Sequence, residues 1–365
     1  MGRKNKYPLT NGFLTTINGI AVIFLLISYL ARNQVPSHHP AVAVFGLFFP
    51  VLFLANLIFF LFWLMQKDAK FLVSLLVLFM GIPQLKNHLA FHDHQETNGK
   101  ARWKIISYNV QGFSGNNHNA YRPEIKAKIL RFLVQAEPDI LCLQEYSGKK
   151  KDLLAGHHSG NNAYFHRYYS QKGSKNTGLL TVTKGKIFRH RFFKFKGYRT
   201  FGILTDMVMG KDTLRVINLH LASISLNSSD LDLLSSPPSA SWEKGNTWHH
   251  YGEIYRKLQK AYRLRVKQLT PVIQTVRNSR WPVVLCGDFN DTPSSWAYHR
   301  MSILLKDAFV EKGKGISTTY AGPLPFLRID YLFAGRSLSV TAYRKYTVPY
   351  SDHFPVSMEV QIPSP

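Results

Sequence analysis

The apolar run Val283-Val284-Leu285-Cys286 stops on Gly287-Asp288-Phe289-Asn290, followed by Asp291-Thr292-Pro293. A buried-strand pattern ending on Gly-Asp-x-Asn delivers a carboxylate and an amide to the rim of a sheet, where α/β and sandwich enzymes place their chemistry. Ile329-Asp330-Tyr331 and Ser351-Asp352-His353 repeat the device downstream. Asn109 in Ser107-Tyr108-Asn109-Val110, Glu145 in Leu143-Gln144-Glu145 and His220 in Ile217-Asn218-Leu219-His220 punctuate earlier strand ends. These are the residue types that phosphate-ester cleavage demands. A phosphodiester repels hydroxide by its charge, so the reaction needs a hard cation held by carboxylate and amide oxygens. It also needs a positioned base or water-orienting carboxylate, and donors on the non-bridging oxygens. No thiolate or histidine cluster points to zinc.

Singly, each position has an ordinary explanation. Asn109 could be a turn former, Glu145 an exposed strand-end charge, His220 a satisfied core histidine, and Asp352-His353 a turn before Pro355. The inference comes from six such positions in one chain and in this order.

The elements that must position them are short apolar strands with helical pieces between. Strands are expected over 104–110, 140–144, 163–169, 178–183, 200–209, 214–219, 283–287, 328–333 and 354–360, with a helix over 123–135 opened by Pro123. Residues 254–276 carry a helical apolar stripe broken only by Pro271, and 223–249 read as a long irregular stretch. Strand-rich chains with a few outer helices pack as two sheets covered by helices. Cys142 and Cys286 lie inside apolar strand runs and read as small core residues.

Ahead of this lies a membrane region. Residues 13–30 form eighteen positions without a charge and 41–65 form twenty-five, against the roughly 20 needed to span. Phe71–Leu85, bracketed by Lys70 and Lys86, fits either a short third span or an interfacial helix. Residues 92–102 read as a polar linker to a domain over 103–361. No small-x-small cleavage site follows the first apolar segment, so it is read as retained. Basic residues Arg3, Lys4, Lys6, Lys67 and Lys70, against Arg32 alone in the first loop, put the amino terminus and second loop in the cytoplasm. Three spans then place residues 100–365 outside the cytoplasm; two place them inside.

The order Tyr-Asn-Val, Leu-Gln-Glu, Asn-Leu-His-Leu, Gly-Asp-Phe-Asn, Ile-Asp-Tyr and Ser-Asp-His-Phe-Pro resembles the endonuclease/exonuclease/phosphatase superfamily over about residues 103–361. That group includes pancreatic-type deoxyribonuclease, abasic-site endonucleases, neutral sphingomyelinases and inositol polyphosphate 5-phosphatases. The resemblance implies an α+β fold, a four-layer α/β/β/α sandwich, and a Mg²⁺-dependent phosphoesterase in which Mn²⁺ could substitute. It implies Glu145 as principal metal ligand, with Asn109 and Asp352 on the metal side. It further implies that Asp288 orients or deprotonates the attacking water and that Asn290 holds that water and a phosphate oxygen. His220 would contact the scissile phosphate or assist the leaving oxygen, and Asp330 would orient His353 against the phosphate. Gln111 stands where some members carry an acid, which puts a second full metal site in doubt. The apolar spans ahead of the domain resemble bacterial membrane-attached members, implying a multi-pass inner-membrane protein; counting 71–85 as the third span puts its catalytic domain outside the cytoplasm.

Substrate is less legible. Residues 100–365 carry a net charge of about +21, which favours anionic partners. Residues 184–199 interleave Lys186, Arg189, Arg191, Lys194, Lys196 and Arg199 with Phe188, Phe192, Phe193 and Phe195. That pattern suits a nucleic-acid groove, an acidic membrane surface, or an edge hairpin with a core-facing Phe side. Arg256, Lys257, Lys260, Arg263 and Lys267 read as the solvated face of their helix. The irregular stretch 223–249, directly after His220, reads as a lid or specificity element. Nucleic acid leads as substrate, a phospholipid headgroup or inositol phosphate follows, and a non-catalytic anchored scaffold is the rival of another class. Competent side chains at all six motif positions speak against the scaffold.

Overall fold

The computed structural model describes residues 8–92, 103–115, 121–148, 162–169, 176–195, 201–235, 244–324 and 326–362. Residues 93–102 of the expected linker, and Lys196 and Arg199 of the basic segment, lie outside the described residues.

The chain opens with helices α1 (Pro8–Leu30), α2 (Pro40–Leu47), α3 (Phe49–Met65) and α4 (Phe71–Leu85), then strand β1 (Leu89–Phe91). The expected single span over 41–65 is instead two helices meeting at 63°. Pro50 causes the break: it has no N–H to give Gly46, and its ring excludes that carbonyl from a continuous helix. Contacts fix the helix directions. Trp63 Nε1 donates to Asn18 Oδ1 (2.9 Å) and Asn56 Nδ2 to Ala21 O (3.0 Å), so α3 runs antiparallel to α1. The Phe60–Phe71 and Phe49–His88 ring pairs make α4 antiparallel to α3. Residues 31–47 and 86–91 therefore share one end of the bundle, and 66–70 lie at the other. Polar groups face inward, as in the Asn18–Ser74 hydrogen bond of 3.1 Å, while Phe13, Ile20, Ile23, Val51, Ile58, Leu76 and Phe79 are exposed. One helix, α1, is by itself long and apolar enough to cross a membrane.

The second region begins with β2 (Trp103–Asn109), α5 (Pro123–Ala136), β3 (Ile140–Tyr146), β4 (Asn162–Tyr169) and β5 (Asn176–Thr183). It continues through β6 (Lys186–Phe193), β7 (Gly202–Met209), β8 (Asp212–His220), α6 (Ser228–Ser235) and α7 (Lys244–Arg277). Then come β9 (Val283–Asp288), α8 (Trp296–Ser302), β10 (Leu305–Asp307), α9 (Ala308–Lys312) and β11 (Lys314–Ile316). β12 (Asp330–Gly335), β13 (Ser339–Lys345) and β14 (Val356–Gln361) complete it. One six-stranded sheet has the order β13-β14-β2-β3-β5-β4, the other β10-β12-β9-β8-β7-β6. Ile105, Cys142, Val216, Cys286, Leu332 and Met358 pack between them in one apolar cluster. Ile129 and Leu133 of α5 cover the outer face of the first sheet. Leu269 and Val272 of α7, with Trp296 and Met301 of α8, cover that of the second. The expected four-layer α/β/β/α sandwich is the observed one.

Two expectations change. The stretch 223–249 is irregular only over 221–227 before α6, and α7 already starts at Lys244; residues 236–243 lie outside the described residues. Asn227 caps α6, its Oδ1 accepting from Asp230 N while Asp230 Oδ2 accepts from Asn227 N, both at 2.8 Å. Helix α7 also runs through Pro271 without stopping. Its buried neighbours Leu269 and Val272 hold the axis, so tertiary packing offsets the lost hydrogen bond.

The two regions are joined by more than the chain. β1 pairs with β11, Gly46 approaches Ser294, and Ala43, Val44 and Leu47 of α2 pack with Ile254, Leu258 and Tyr262 of α7. Arg328 Nη1 donates to Asn87 O (2.9 Å), and His88 Nε2 lies 2.9 Å from Ser294 Oγ. Burial, aided by the charge of Arg328, pushes His88 down to about 3, so this contact is made by a neutral ring.

Candidate active site

Strand parity explains where the polar residues meet. β2 and β3 are parallel, as are β8 and β9, so four strand ends open in one direction. Along β9 the inward residues read Val284, Cys286, Asp288; along β8 they read Val216, Asn218, His220. The inward rows of β2 and β3 end at Asn109 and Gln144, and β12 starts inward on Asp330. In register, His220 faces Asp288, Asp330 faces Asp288, and Asn109 faces Gln144. The inter-sheet layer therefore turns from apolar to polar at one end. Glu145 is out of step, and the register shift between Leu143 and Tyr146 redirects it into the cleft.

All eight expected residues converge there. Asn109 Nδ2 lies 3.0 Å from Asp288 Oδ2 and 3.4 Å from Glu145 Oε1. Its Oδ1 accepts from Gln111 N at 3.0 Å, so Asn109 turns its donors to the carboxylates from a buried position. His220 Nε2 stands 3.6 Å from both Glu145 Oε1 and Asp288 Oδ2. Asn290 holds Asp288 by two contacts, backbone N to Oδ1 (2.8 Å) and Nδ2 to Oδ2 (3.2 Å), and gives Nδ2 to Leu221 O (3.1 Å). His353 Nδ1 lies 2.9 Å from Asp330 Oδ2, while its Nε2 faces Asp288 Oδ2 (3.8 Å) and Asp352 Oδ1 (4.0 Å). Glu145, His220, Asp288, Asn290, Asp352 and His353 line a cleft of about 990 Å³; Asn109 and Asp330 are buried beneath it.

Backbone strain collects at the same place. Glu145 (φ 52°), Asn290 (φ 51°) and Gln111 (φ 48°) adopt left-handed conformations that cost L residues free energy, Asn least. Gly287 has φ 133°, and a Cβ there would lie 1.9 Å from Leu219 O. Only glycine fits between β8 and the Asp288 turn.

Burial alone would depress the His353 imidazole, but Asp330, Asp288 and Asp352 outweigh it and hold the ring well above its usual value. Burial raises Asp330, and the facing His353 charge opposes that. The Asp330–His353 pair thus holds a proton on the imidazole. Asp330 Oδ1 is a buried oxygen with no hydrogen-bond partner. Three carboxylates, Glu145, Asp288 and Asp352, face a cleft in which, among its described lining residues, Arg122 is the one arginine or lysine, and Asp330 lies beneath them. Such a donor set fits a hard divalent cation.

Several supporting residues escaped sequence reasoning. Gln144 Nε2 donates to Asn218 Oδ1 (2.7 Å), and Asn218 Nδ2 to Leu180 O (3.1 Å), stitching the two sheets directly under the site. Their inward parity beside known core positions was the available signal. Arg265 ion-pairs with Asp291 (3.0 Å) and donates to Ala222 O (2.8 Å), so α7 fixes the loops after both β8 and β9. Thr319 Oγ1 accepts from Ile329 N and Asp330 N, both at 3.0 Å, and Tyr320 packs edge-on to His353. Nothing in their local sequence marks those two.

A model of the endonuclease/exonuclease/phosphatase family matches residues 106–353, well over half of the chain, and the chain belongs to that family of metal-dependent phosphoesterases. A second model, a domain of unknown function, matches residues 11–88. No curated protein matches. Among solved structures, an endonuclease/exonuclease/phosphatase from Beutenbergia cavernae is 18% identical, covers 72% of this chain and 72% of its own, and superposes with a TM-score of 0.48. The human Nocturnin catalytic domain with bound sulfate is 16% identical, covers 72% and 94%, and gives 0.49. TDP2 from D. rerio in complex with a single-strand DNA product is 14% identical, covers 72% and 100%, and gives 0.49.

Proposed function

We propose that the protein is a membrane-anchored, Mg²⁺-dependent phosphodiesterase with its catalytic domain on the side opposite the amino terminus. The observation that carries it is the convergence of Glu145, Asp288, Asp352 and the Asp330–His353 pair on one cleft. Glu145, 32% exposed, and Asp352 would hold the cation, because Mg²⁺ keeps several waters and takes few protein carboxylates. When bound, Mg²⁺ neutralises charge on the phosphoryl oxygens.

The chain's own residues supply the rest. Asp288, oriented by Asn109 and Asn290, accepts the proton of the attacking water. Asn290 reaches that water and a phosphate oxygen. Protonated His353, kept in one tautomer by Asp330, donates from Nε2 to the phosphate. His220, between Glu145 and Asp288, lies within reach of the leaving oxygen.

Membrane attachment is supported by the inverted pattern of the amino-terminal bundle, with polar groups inside and large apolar side chains outside. The antiparallel contacts along α1, α3 and α4 favour a reading with three crossings. With the basic residues of the amino terminus and of the 66–70 turn on the cytoplasmic side, the catalytic domain is extracytoplasmic.

The purified full chain should hydrolyse bis-p-nitrophenyl phosphate with Mg²⁺ or Mn²⁺ and lose that activity in chelator. Undiminished turnover in Glu145→Ala or Asp288→Ala protein would sink the assignment.

A further inference from the structure

Three of the exposed aromatic residues of the catalytic region share one helix, whereas Tyr121, Phe188 and Phe326 are exposed singly elsewhere. Trp248 is 75% exposed, and Tyr251 and Tyr255 are each 36% exposed, all on the first turns of α7. At roughly 100° per residue they share one side of that helix, next to the stripe Ile254, Leu258 and Tyr262. That stripe is where α2 of the apolar bundle packs. The basic residues Arg256, Lys260 and Arg263 project from the opposite side, exposed. An interfacial layer is where Trp and Tyr are enriched, since their rings are apolar and their polar tips stay hydrated. The aromatic face of α7 thus adjoins the contact between the catalytic region and the apolar bundle.

The same neighbourhood forms a wall of the cleft. Ile224 and Leu226 line the cleft beside His220 and also pack against the cluster of Ala43, Leu258 and Tyr262. By contrast, the basic strand β6 is a sheet edge, with Phe193 buried in the outer-layer core, and none of its residues lines the cleft.

We propose that the Trp248–Tyr251–Tyr255 face of α7 rests on the bilayer surface and that the cleft takes its phosphodiester from a lipid headgroup. The headgroup enters along the Ile224–Leu226 wall while its hydrocarbon chains stay in the membrane. This rests on the phosphodiesterase reading above. The net positive charge of residues 100–365 suits an anionic lipid surface.

The test uses the full chain reconstituted in vesicles of phosphatidylglycerol and phosphatidylcholine with Mg²⁺, following release of phosphorylated headgroup. Bis-p-nitrophenyl phosphate and a single-stranded oligonucleotide are assayed in parallel. Lipid hydrolysis is expected, and Trp248→Ala/Tyr251→Ala/Tyr255→Ala should lower it about tenfold or more through KM while bis-p-nitrophenyl phosphate turnover stays unchanged. The small substrate reports that the variant is folded; should it fall as well, Trp248→Ala alone is read the same way. Cleavage of bis-p-nitrophenyl phosphate or oligonucleotide with no hydrolysis of the vesicle lipid would overturn the inference and leave the phosphodiesterase standing. Equal lipid turnover by wild type and folded variant would overturn it too. Hydrolysis of none of the three would remove both readings.

Discussion

Asp330 sets one oxygen against His353 Nδ1 from a buried position beneath the cleft. The stabilisation from this pair is set by the imidazole. Because the folded His353 value is raised, the contribution is complete below the unfolded value of roughly 6.5 and is lost as the pH climbs through the folded one. Asp330→Asn removes the nearest carboxylate, so His353 should fall towards or below its ordinary value and the loss should move to lower pH. Histidine NMR titration of metal-free protein checks this; an unmoved His353 would mean that Asp330 does not govern its charge. At this scale the sequence was informative. Asp288 announced itself by closing an apolar run, and Asp330 and His353 by interrupting or flanking one, whereas Thr319 and Tyr320 act through contacts that no local pattern encodes.

Whole elements had two jobs, building the sandwich and locking it to the bundle. The first was legible, since period-two apolar patterns located most strands and the stripe on α7 located its buried face. The second was not, because docking depends on meetings between distant residues. Gly46 is the plainest case. A Cβ there would come within 2.6 Å of Ala31 Cβ and 3.2 Å of Ser294 O, so any side chain would collide with Ala31 and press α2 off the catalytic domain at Ser294. Gly46→Leu is expected to cost on the order of 2 kcal/mol and to loosen the β1–β11 pairing. Faster amide exchange in Leu89–Phe91 would register that; unchanged protection would show the contact to be incidental. Arg328 is the second lock. Enclosed by Asp307 and the rings of Phe309 and Tyr331, it reaches across to Asn87 O. Asp307→Ala leaves that guanidinium buried and uncompensated, a change worth about 3–5 kcal/mol. Denaturant unfolding should show a loss of that size; less than about 1 kcal/mol would mean the charge finds water.

For the molecule as a whole, the composition of residues 13–85 indicated a membrane and favoured three crossings over two through the marginal segment 71–85. Antiparallel contacts along α1, α3 and α4 support three. In a Cys142→Ser/Cys286→Ser background, Arg336→Cys should then react with an impermeant maleimide on intact cells and Lys67→Cys should not. Equal labelling of the two would exclude a crossing by α4.

The convergence of separate carboxylates with separate tasks is tested most directly by comparing Glu145→Gln with Asp288→Asn. Mg²⁺ binding and bis-p-nitrophenyl phosphate turnover are measured on each full-length protein. Glu145→Gln should raise the Mg²⁺ concentration for half-activity at least about tenfold. Asp288→Asn should bind Mg²⁺ nearly as the parent does and lose about a thousandfold in kcat. Equal loss of metal affinity in the two variants, or turnover retained in Asp288→Asn, would contradict the assignment.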